Sequence, residues 1–321
     1  MKHYLTTTFL FLLSINVFAQ EKTFTTQEVS VNEFLNGTLY TPEKAKKTNL
    51  VILIAGSGPT DRDGNQTGME NNSLKFLAEG LAQNNISVYS YDKRIFVQAK
   101  SQDFDESSLS FEDFIDDAVA VINHFKKGKN HKKIFVAGHS EGSLIGMVAV
   151  EKAKADGFIS IAGTGSPIDE VLKFQIKQNA PFLLEQTTTI LDSLKNGKTV
   201  EITNPALFSL FRPSVQPYMI SWLKYNPQTE IKKLKTPVMI INGTSDLQIT
   251  VSEAELLKQA KPEARYLIVE KMNHVLKEVN DINENQKSYT DPNLPVMPEL
   301  IEQIARFIHL NGDIKVTRGV N

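Results

Sequence analysis

Lys133-Ile134-Phe135-Val136-Ala137-Gly138-His139-Ser140-Glu141-Gly142 is the stretch that decides the fold. A short β-prone run ends abruptly on Gly-x-Ser-x-Gly, and a helical pattern begins near Ser143. A serine at such a strand-to-helix turn is forced into a tight, strained backbone conformation. Flanking glycines remove the side chains that would clash, and the hydroxyl is left exposed above the sheet. The helix amino terminus behind it favours negative charge developing nearby, and Gly146 lets that helix lie close to the strands. Gly-x-Ser-x-Gly alone is a weak pattern, because both residues are common. The strand before and the helix after supply the context that makes Ser140 a nucleophile candidate rather than part of a glycine-rich turn.

Outward from this point, apolar runs of strand length alternate with helical patterns. Leu50-Val51-Ile52-Leu53-Ile54, Ser87-Val88-Tyr89-Ser90-Tyr91 and Gly157-Phe158-Ile159-Ser160-Ile161 read as interior strands, as do 237–241 and 265–269. Between them, Phe111, Phe114, Ile115, Ala118, Val119, Ile122 and Phe125 recur at helical spacing, with a shorter stripe at Leu74, Leu77, Ala78 and Leu81. Pro298 opens a last helix carrying Leu300, Ile301, Ile304, Phe307 and Ile308 on one face. The expected fold class is therefore α/β: a mostly parallel sheet, right-handed crossovers and helices on both faces. From about 167 to 235 the alternation stops, and helical pieces and the aromatics Phe208, Phe211, Tyr218, Trp222 and Tyr225 replace it. Such an insertion is expected to act as a cap above the carboxyl ends of the strands, where open α/β sheets bind ligands. For any single aromatic, holding the insertion together is the simpler role.

A serine hydroxyl needs a base. His124 and His131 border a helix end and a basic turn, and His309 ends the last helix, where a cation is favourable. His139 adjoins the serine, but its place in the turn is expected to pack it beneath the elbow. His274 differs: it stands in Lys271-Met272-Asn273-His274, just past the last strand run, within reach of the serine. Asp246, in Gly243-Thr244-Ser245-Asp246 after the preceding strand, is expected to orient it. Glu253 and Glu255 fall in the following helix and suit that role less. The chain order serine, acid, histidine is that of one hydrolase fold. Two backbone N–H groups are expected to hold an oxyanion. One belongs to Glu141, after the nucleophile, and the other to Ser57, in the glycine-containing loop Gly56-Ser57-Gly58-Pro59.

With these pieces placed, the chain resembles the α/β-hydrolase superfamily over nearly all of residues 20–321. Gly56-Ser57-Gly58-Pro59-Thr60-Asp61-Arg62-Asp63-Gly64-Asn65 looks like a loop of exported bacterial esterases and serine-aminopeptidase-like hydrolases, and Tyr91-Asp92-Lys93-Arg94 looks like the segment that follows the next strand in those relatives. The family often continues with a glycine-rich stretch, whereas this chain has Ile95-Phe96-Val97. Asp61, Arg62, Asp63, Asp92, Lys93 and Arg94 form a dense group of opposite charges; an ion-pair network fixing the loop is favoured over substrate recognition.

The remaining sequence narrows the setting. Met1-Lys2-His3, the apolar centre Phe9-Leu10-Phe11-Leu12-Leu13 and the small residues in Val17-Phe18-Ala19 predict a leader at 1–19, cleaved after Ala19, and hence a periplasmic or secreted protein. The run is short for a membrane span, so no stable membrane insertion is expected after cleavage. The chain has no cysteine, which excludes disulfides, a thiol nucleophile and lipoprotein anchoring. Cleavage takes one of the 35 basic residues and none of the 37 acidic ones, so nothing points to nucleic acid or an anionic membrane as partner. Lysine-rich patches at 44–47 and 126–129 read as solvated loops.

The expected chemistry is hydrolysis of a small-molecule carboxylic ester through an acyl-enzyme on Ser140, with no metal or organic cofactor required. The same triad serves an exported aminopeptidase or an acyltransferase, and a noncatalytic binding protein can retain the fold. The Leu, Phe and Tyr content of the insertion suggests an apolar acyl or aryl pocket. Substrate identity and oligomeric state are not encoded in any pattern found.

Overall fold

The apolar runs become the interior of one sheet. In the computed structural model, which describes residues 23–43 and 46–312, the strands are β1 (Phe24–Ser30), β2 (Asn36–Pro42), β3 (Leu50–Ile54), β4 (Ser87–Tyr91), β5 (Ile134–His139), β6 (Gly157–Ile161), β7 (Val238–Gly243) and β8 (Arg265–Val269). The leader expected at 1–19 lies outside the described residues. Strand order is β1-β2-β4-β3-β5-β6-β7-β8; β1, β2 and β4 pair antiparallel, and every pair from β4 to β8 is parallel.

β3 to β7 are buried along their whole length, which is why each reads as a continuous apolar or small-residue run. Alternate residues still go to opposite faces: Ile52 and Ile54 join one core, Val51 and Leu53 the other. The hairpin β1–β2 was not anticipated. Most of β1 is exposed and its sequence is Thr-rich, so the apolar alternation that betrays a strand is missing. β5 and β7 each run two residues past the expected end, to His139 and Gly243.

The helices are α1 (Ser73–Gln83), α2 (Arg94–Gln98), α3 (Phe111–Gly128), α4 (Glu141–Ala153), α5 (Ile168–Asn179), α6 (Leu184–Lys195), α7 (Phe208–Phe211), α8 (Gln216–Trp222), α9 (Pro227–Lys233), α10 (Val251–Ala260), α11 (Ile282–Ser288) and α12 (Pro298–Gly312). α3 and α4 cover one sheet face and α1 and α12 the other. α3 starts where Ser110 and Asp113 satisfy each other's backbone N–H groups in a capping box. Ile95-Phe96-Val97, the stretch that departs from the family's glycines, forms α2. α5 to α9 lie between β6 and β7; α9 packs on α4 and α10, and α8 on the start of α3. There Trp222 stacks on Phe111 (centroids 5.4 Å apart, 3° between planes), Phe111 N–H donates to Ser221 Oγ at 2.7 Å, and Arg212 grips Glu106. Among the described residues no helix is long and apolar enough to cross a membrane.

Candidate active site

β5 ends at His139 and α4 begins at Glu141, leaving Ser140 alone to make the turn. It does so at φ 56°, ψ −123°, a region that L side chains rarely adopt and that costs about 1–3 kcal/mol. Its N–H donates to the Ile161 carbonyl and its own carbonyl accepts from Ser143 N–H, both at 2.9 Å. The flanking glycines are obligatory by contact. A Cβ on Gly138 would stand 2.1 Å from the Gly142 carbonyl oxygen, and one on Gly142 would stand 2.4 Å from that of Ile54.

Asp246 follows β7 and His274 follows β8, and the two loops are laced together. Thr244 N–H donates to the Val269 carbonyl and Ser245 N–H to that of Met272. Fully buried Asn273 pins the histidine loop by donating to Ser288 Oγ at 2.7 Å and accepting from Lys277 N–H at 3.0 Å. His274 Nδ1 thus meets Asp246 Oδ2 at 2.8 Å, with the aspartate side chain 0% exposed. Asp246 Oδ1 is held separately by the N–H groups of Gln248 and Ile249, each at 2.9 Å.

His139 departs from its expected place beneath the elbow. Its ring lies against that of His274, with centroids 4.8 Å apart, and its Nε2–H donates to the His274 carbonyl at 2.8 Å. The two-residue extension of β5 carries it up to the site. Burial, then the neighbouring His274, pushes its pKa down to about 4, so it is neutral in the fold. The unfolded chain therefore binds more protons than the folded one between about pH 6.5 and pH 4. The stabilisation is complete above pH 6.5 and is lost as pH falls towards 4, amounting to about 3 kcal/mol at most. His139→Asn keeps an N–H donor but cannot titrate. Thermal melts should show it losing less stability than the wild type between pH 7 and pH 5; parallel curves would assign the acid sensitivity elsewhere.

Ser140, His139 and His274 line one cavity of about 340 Å³ with the 56–71 loop, the start of α1, Gln248, Val275 and Tyr289. The remaining surface is mixed: Thr60, Gln66, Asn71 and Ser73 contribute polar groups, and Met69 and Leu74 apolar ones. Among the lining residues there is no Asp, Glu, Lys or Arg, and none comes from α5 to α9. The expected apolar pocket built by the insertion is therefore corrected. Tyr218 and Trp222 are spent on Phe111 and Phe114 instead.

Ser57 reaches this cavity on a backbone fixed from two sides. Its carbonyl accepts from Gln66 Nε2 at 2.7 Å and Thr60 Oγ1 at 3.0 Å, and the carbonyl of Gly56 accepts from Lys93 Nζ at 3.0 Å. A Cβ on Gly56 would lie 3.2 Å from Ser140 Cβ, so this loop passes directly beside the elbow. The charges around it are mostly paired internally. Arg62 grips Asp92 (Nη2–Oδ2 2.7 Å, Nε–Oδ1 3.1 Å) and also Glu28. Arg94 grips Asp117 at 2.6 and 2.7 Å and reaches Asp113 at 2.9 Å. Asp61 Oδ1 accepts from the N–H groups of Asp63 and Asn65, closing its own turn, and burial raises the pKa of both Asp61 and Asp63. Lys93 stands apart, buried on Glu141 Oε1 at 2.8 Å.

Residues 68–218 match the family model described as serine aminopeptidase, S33. Esterase EstD of Thermotoga maritima is 30% identical over 267 residues, which is 81% of this chain but 62% of that protein. Est1E from Butyrivibrio proteoclasticus superposes with a TM-score of 0.56 over 89% of this chain and 98% of its own, at 14% identity. The chain has the α/β-hydrolase fold. A Pyrococcus furiosus structure, esterase Pf2001, shares the fold with a TM-score of 0.53 at 15% identity, covering 89% of this chain and 90% of itself. The family match includes Ser140 and stops before Asp246 and His274. The sequence does not reveal the separate burial of Lys93, because three consecutive charged residues look alike in a string. It also gives no sign of Gln248, Val275 and Tyr289, which reach the cavity only through loop packing.

Proposed function

We propose that this protein is a serine hydrolase that cleaves carboxylic esters through an acyl-enzyme on Ser140. The observation that carries this reading is a serine held in a strained elbow on the same cavity as His274, whose Nδ1–H is committed to Asp246. His274 Nε2 takes the Ser140 proton as Oγ attacks the carbonyl carbon. The N–H groups of Ser57 and Glu141 hold the oxyanion; that of Glu141 opens α4 and so has no intrahelical partner. The alcohol leaves with the proton from His274. Water then loses its proton to the same nitrogen and attacks the acyl carbon; as the bond from the acyl carbon to Ser140 Oγ breaks, His274 returns that proton to Oγ and the acid is released. An aminopeptidase needs a counter-charge for the substrate's ammonium group, and the absence of any carboxylate side chain among the cavity's lining residues favours esters over it. Residues from about 167 to 235, with α5 to α9, serve in this reading as a cap insertion, and residues 1–19 as an export leader.

One experiment addresses both chemistry and location. The full chain is expressed in a bacterial host, and periplasmic and cytoplasmic fractions are assayed on nitrophenyl acetate, nitrophenyl butyrate and alanyl nitroanilide. The expected result is ester turnover in the periplasm by a chain beginning at Gln20, with the anilide at least about a hundredfold slower, on the order of specificities set by a missing charge partner. Faster cleavage of the anilide would overturn the ester reading. Activity confined to the cytoplasm at full length would overturn export.

A further inference from the structure

We propose that Lys93 is a positioning residue for the oxyanion hole, holding and polarising the peptide group whose N–H receives the oxyanion. The proposal rests on the ester-hydrolase reading of Ser140. In a trans peptide the C=O of one residue and the N–H of the next lie in one plane and point in opposite directions. The Gly56 carbonyl and the Ser57 N–H are such a pair, and the described residues contain no cis peptide bond. Lys93 Nζ donates to that carbonyl at 3.0 Å. The cation therefore sits behind the peptide unit that presents its N–H on the opposite side, and drawing electron density to the oxygen makes the N–H a stronger donor.

The same ammonium reaches the second donor's residue. Nζ donates to Glu141 Oε1 at 2.8 Å, and the backbone N–H of Glu141 is the other oxyanion donor. One nitrogen thus joins the 56–57 peptide to the first turn of α4 and fixes the spacing between the two N–H groups. The pair is sealed: the side chains are 4% and 2% exposed, and Nζ lies 4.6 Å from the Phe114 ring centroid. Burying two charges costs desolvation that apolar side chains of equal volume avoid. Stability does not account for the placement of this pair; what it holds does. Neighbouring Asp92 and Arg94 are anchored to Arg62 and Asp117, which fixes the backbone from which Lys93 projects.

The test compares the wild type with Lys93→Met and with Lys93→Met/Glu141→Gln, which removes both charges and leaves no bare carboxylate. For each we would measure melting temperature, kcat and KM on nitrophenyl butyrate, and calorimetric affinity for a boronic acid that forms a tetrahedral adduct on the serine. The expected result for both variants is a tenfold to hundredfold loss of kcat, roughly what weakening one oxyanion donor causes, with KM within about twofold. Boronate affinity should fall by the same factor, and the double variant should melt close to the wild type. A well-folded double variant with wild-type kcat and boronate affinity would reduce Lys93 to a structural ion pair and overturn the proposal; it decides even if Lys93→Met fails to fold. Because boronate binding is read without turnover, a wild type that cleaves no ester yet binds the boronate more tightly than the double variant would overturn the ester reading while supporting the role of Lys93. A wild type that does neither overturns both.

Discussion

Ser140→Ala is expected to lower turnover of a short-chain nitrophenyl ester by at least about a thousandfold while leaving the fold intact. The rate loss follows from removing the hydroxyl proposed to form the acyl-enzyme; the cavity and the backbone donors remain and supply what residual catalysis survives. The stability half of the prediction is specific to this turn. Backbone strain at φ 56° comes from the Cβ, which alanine keeps, and the hydroxyl does not cap α4. Melting temperatures of the two proteins should therefore agree within a few degrees. Ser140→Gly separates the two effects: without a Cβ the strained conformation is relieved, so this variant should be equally inactive but more stable by about 1–3 kcal/mol. Equal activity in the wild type and Ser140→Ala would mean that the chemistry lies elsewhere on the molecule. A loss of stability in Ser140→Gly would mean that the turn is not strained.

The central strands were readable because they are buried on both faces. A chain segment in that position has no polar face to present, so β3 or β6 shows as an unbroken run of apolar and small residues between turn-forming ones. β1 carries no such mark. Its partner covers one edge and solvent covers the rest, so Phe24-Thr25-Thr26-Gln27-Glu28 reads as loop and becomes strand only through its register with β2. The ends of β5 and β7 were also misjudged. Gly138-His139 and Asn242-Gly243 resemble turn residues, yet they continue the ladders with β6 and β8, because neighbouring strands offer backbone partners that the local sequence does not reveal.

At the site, the legible part is the part encoded by order along the chain. A serine in a strand-to-helix turn, then an acid and a histidine each just past a strand, can be found without coordinates, because parallel strands bring their carboxyl ends to one edge of the sheet. Side-chain direction within a loop is another matter. His139 and Ser140 are consecutive, and only the positive φ at Ser140 and the continuation of β5 decide that the histidine ring leans on His274. The charged string Asp92-Lys93-Arg94 splits three ways, to Arg62, to Glu141 and to Asp117, since successive residues leaving a strand point in different directions. Nor does the composition of 167–235 say which wall it builds. Tyr218, Trp222 and Tyr225 face α3 because Phe111 and Phe114 present an apolar surface there.

Asp246→Asn is expected to reduce kcat by about ten-thousandfold with little change in KM, through the tautomer of His274 rather than through its position. The two carboxylate oxygens are not equivalent. Oδ1 receives N–H groups from Gln248 and Ile249, so in the variant that place must be taken by the amide oxygen, since an NH₂ group there would face two donors. The amide nitrogen is then forced into the position of Oδ2, 2.8 Å from His274 Nδ1, where it can only donate. His274 must answer with a lone pair on Nδ1 and carry its proton on Nε2. A protonated Nε2 cannot accept the proton of Ser140, so the attack loses its base although every heavy atom keeps its place. Nitrogen-15 chemical shifts of His274 should report Nδ1–H in the wild type and Nε2–H in the variant at neutral pH, and the melting temperature should change far less than the rate. If the variant showed the Nδ1–H form, or retained most of its kcat, the orienting role of Asp246 would be refuted and Asp246 would become one more buried carboxylate tying two loops together.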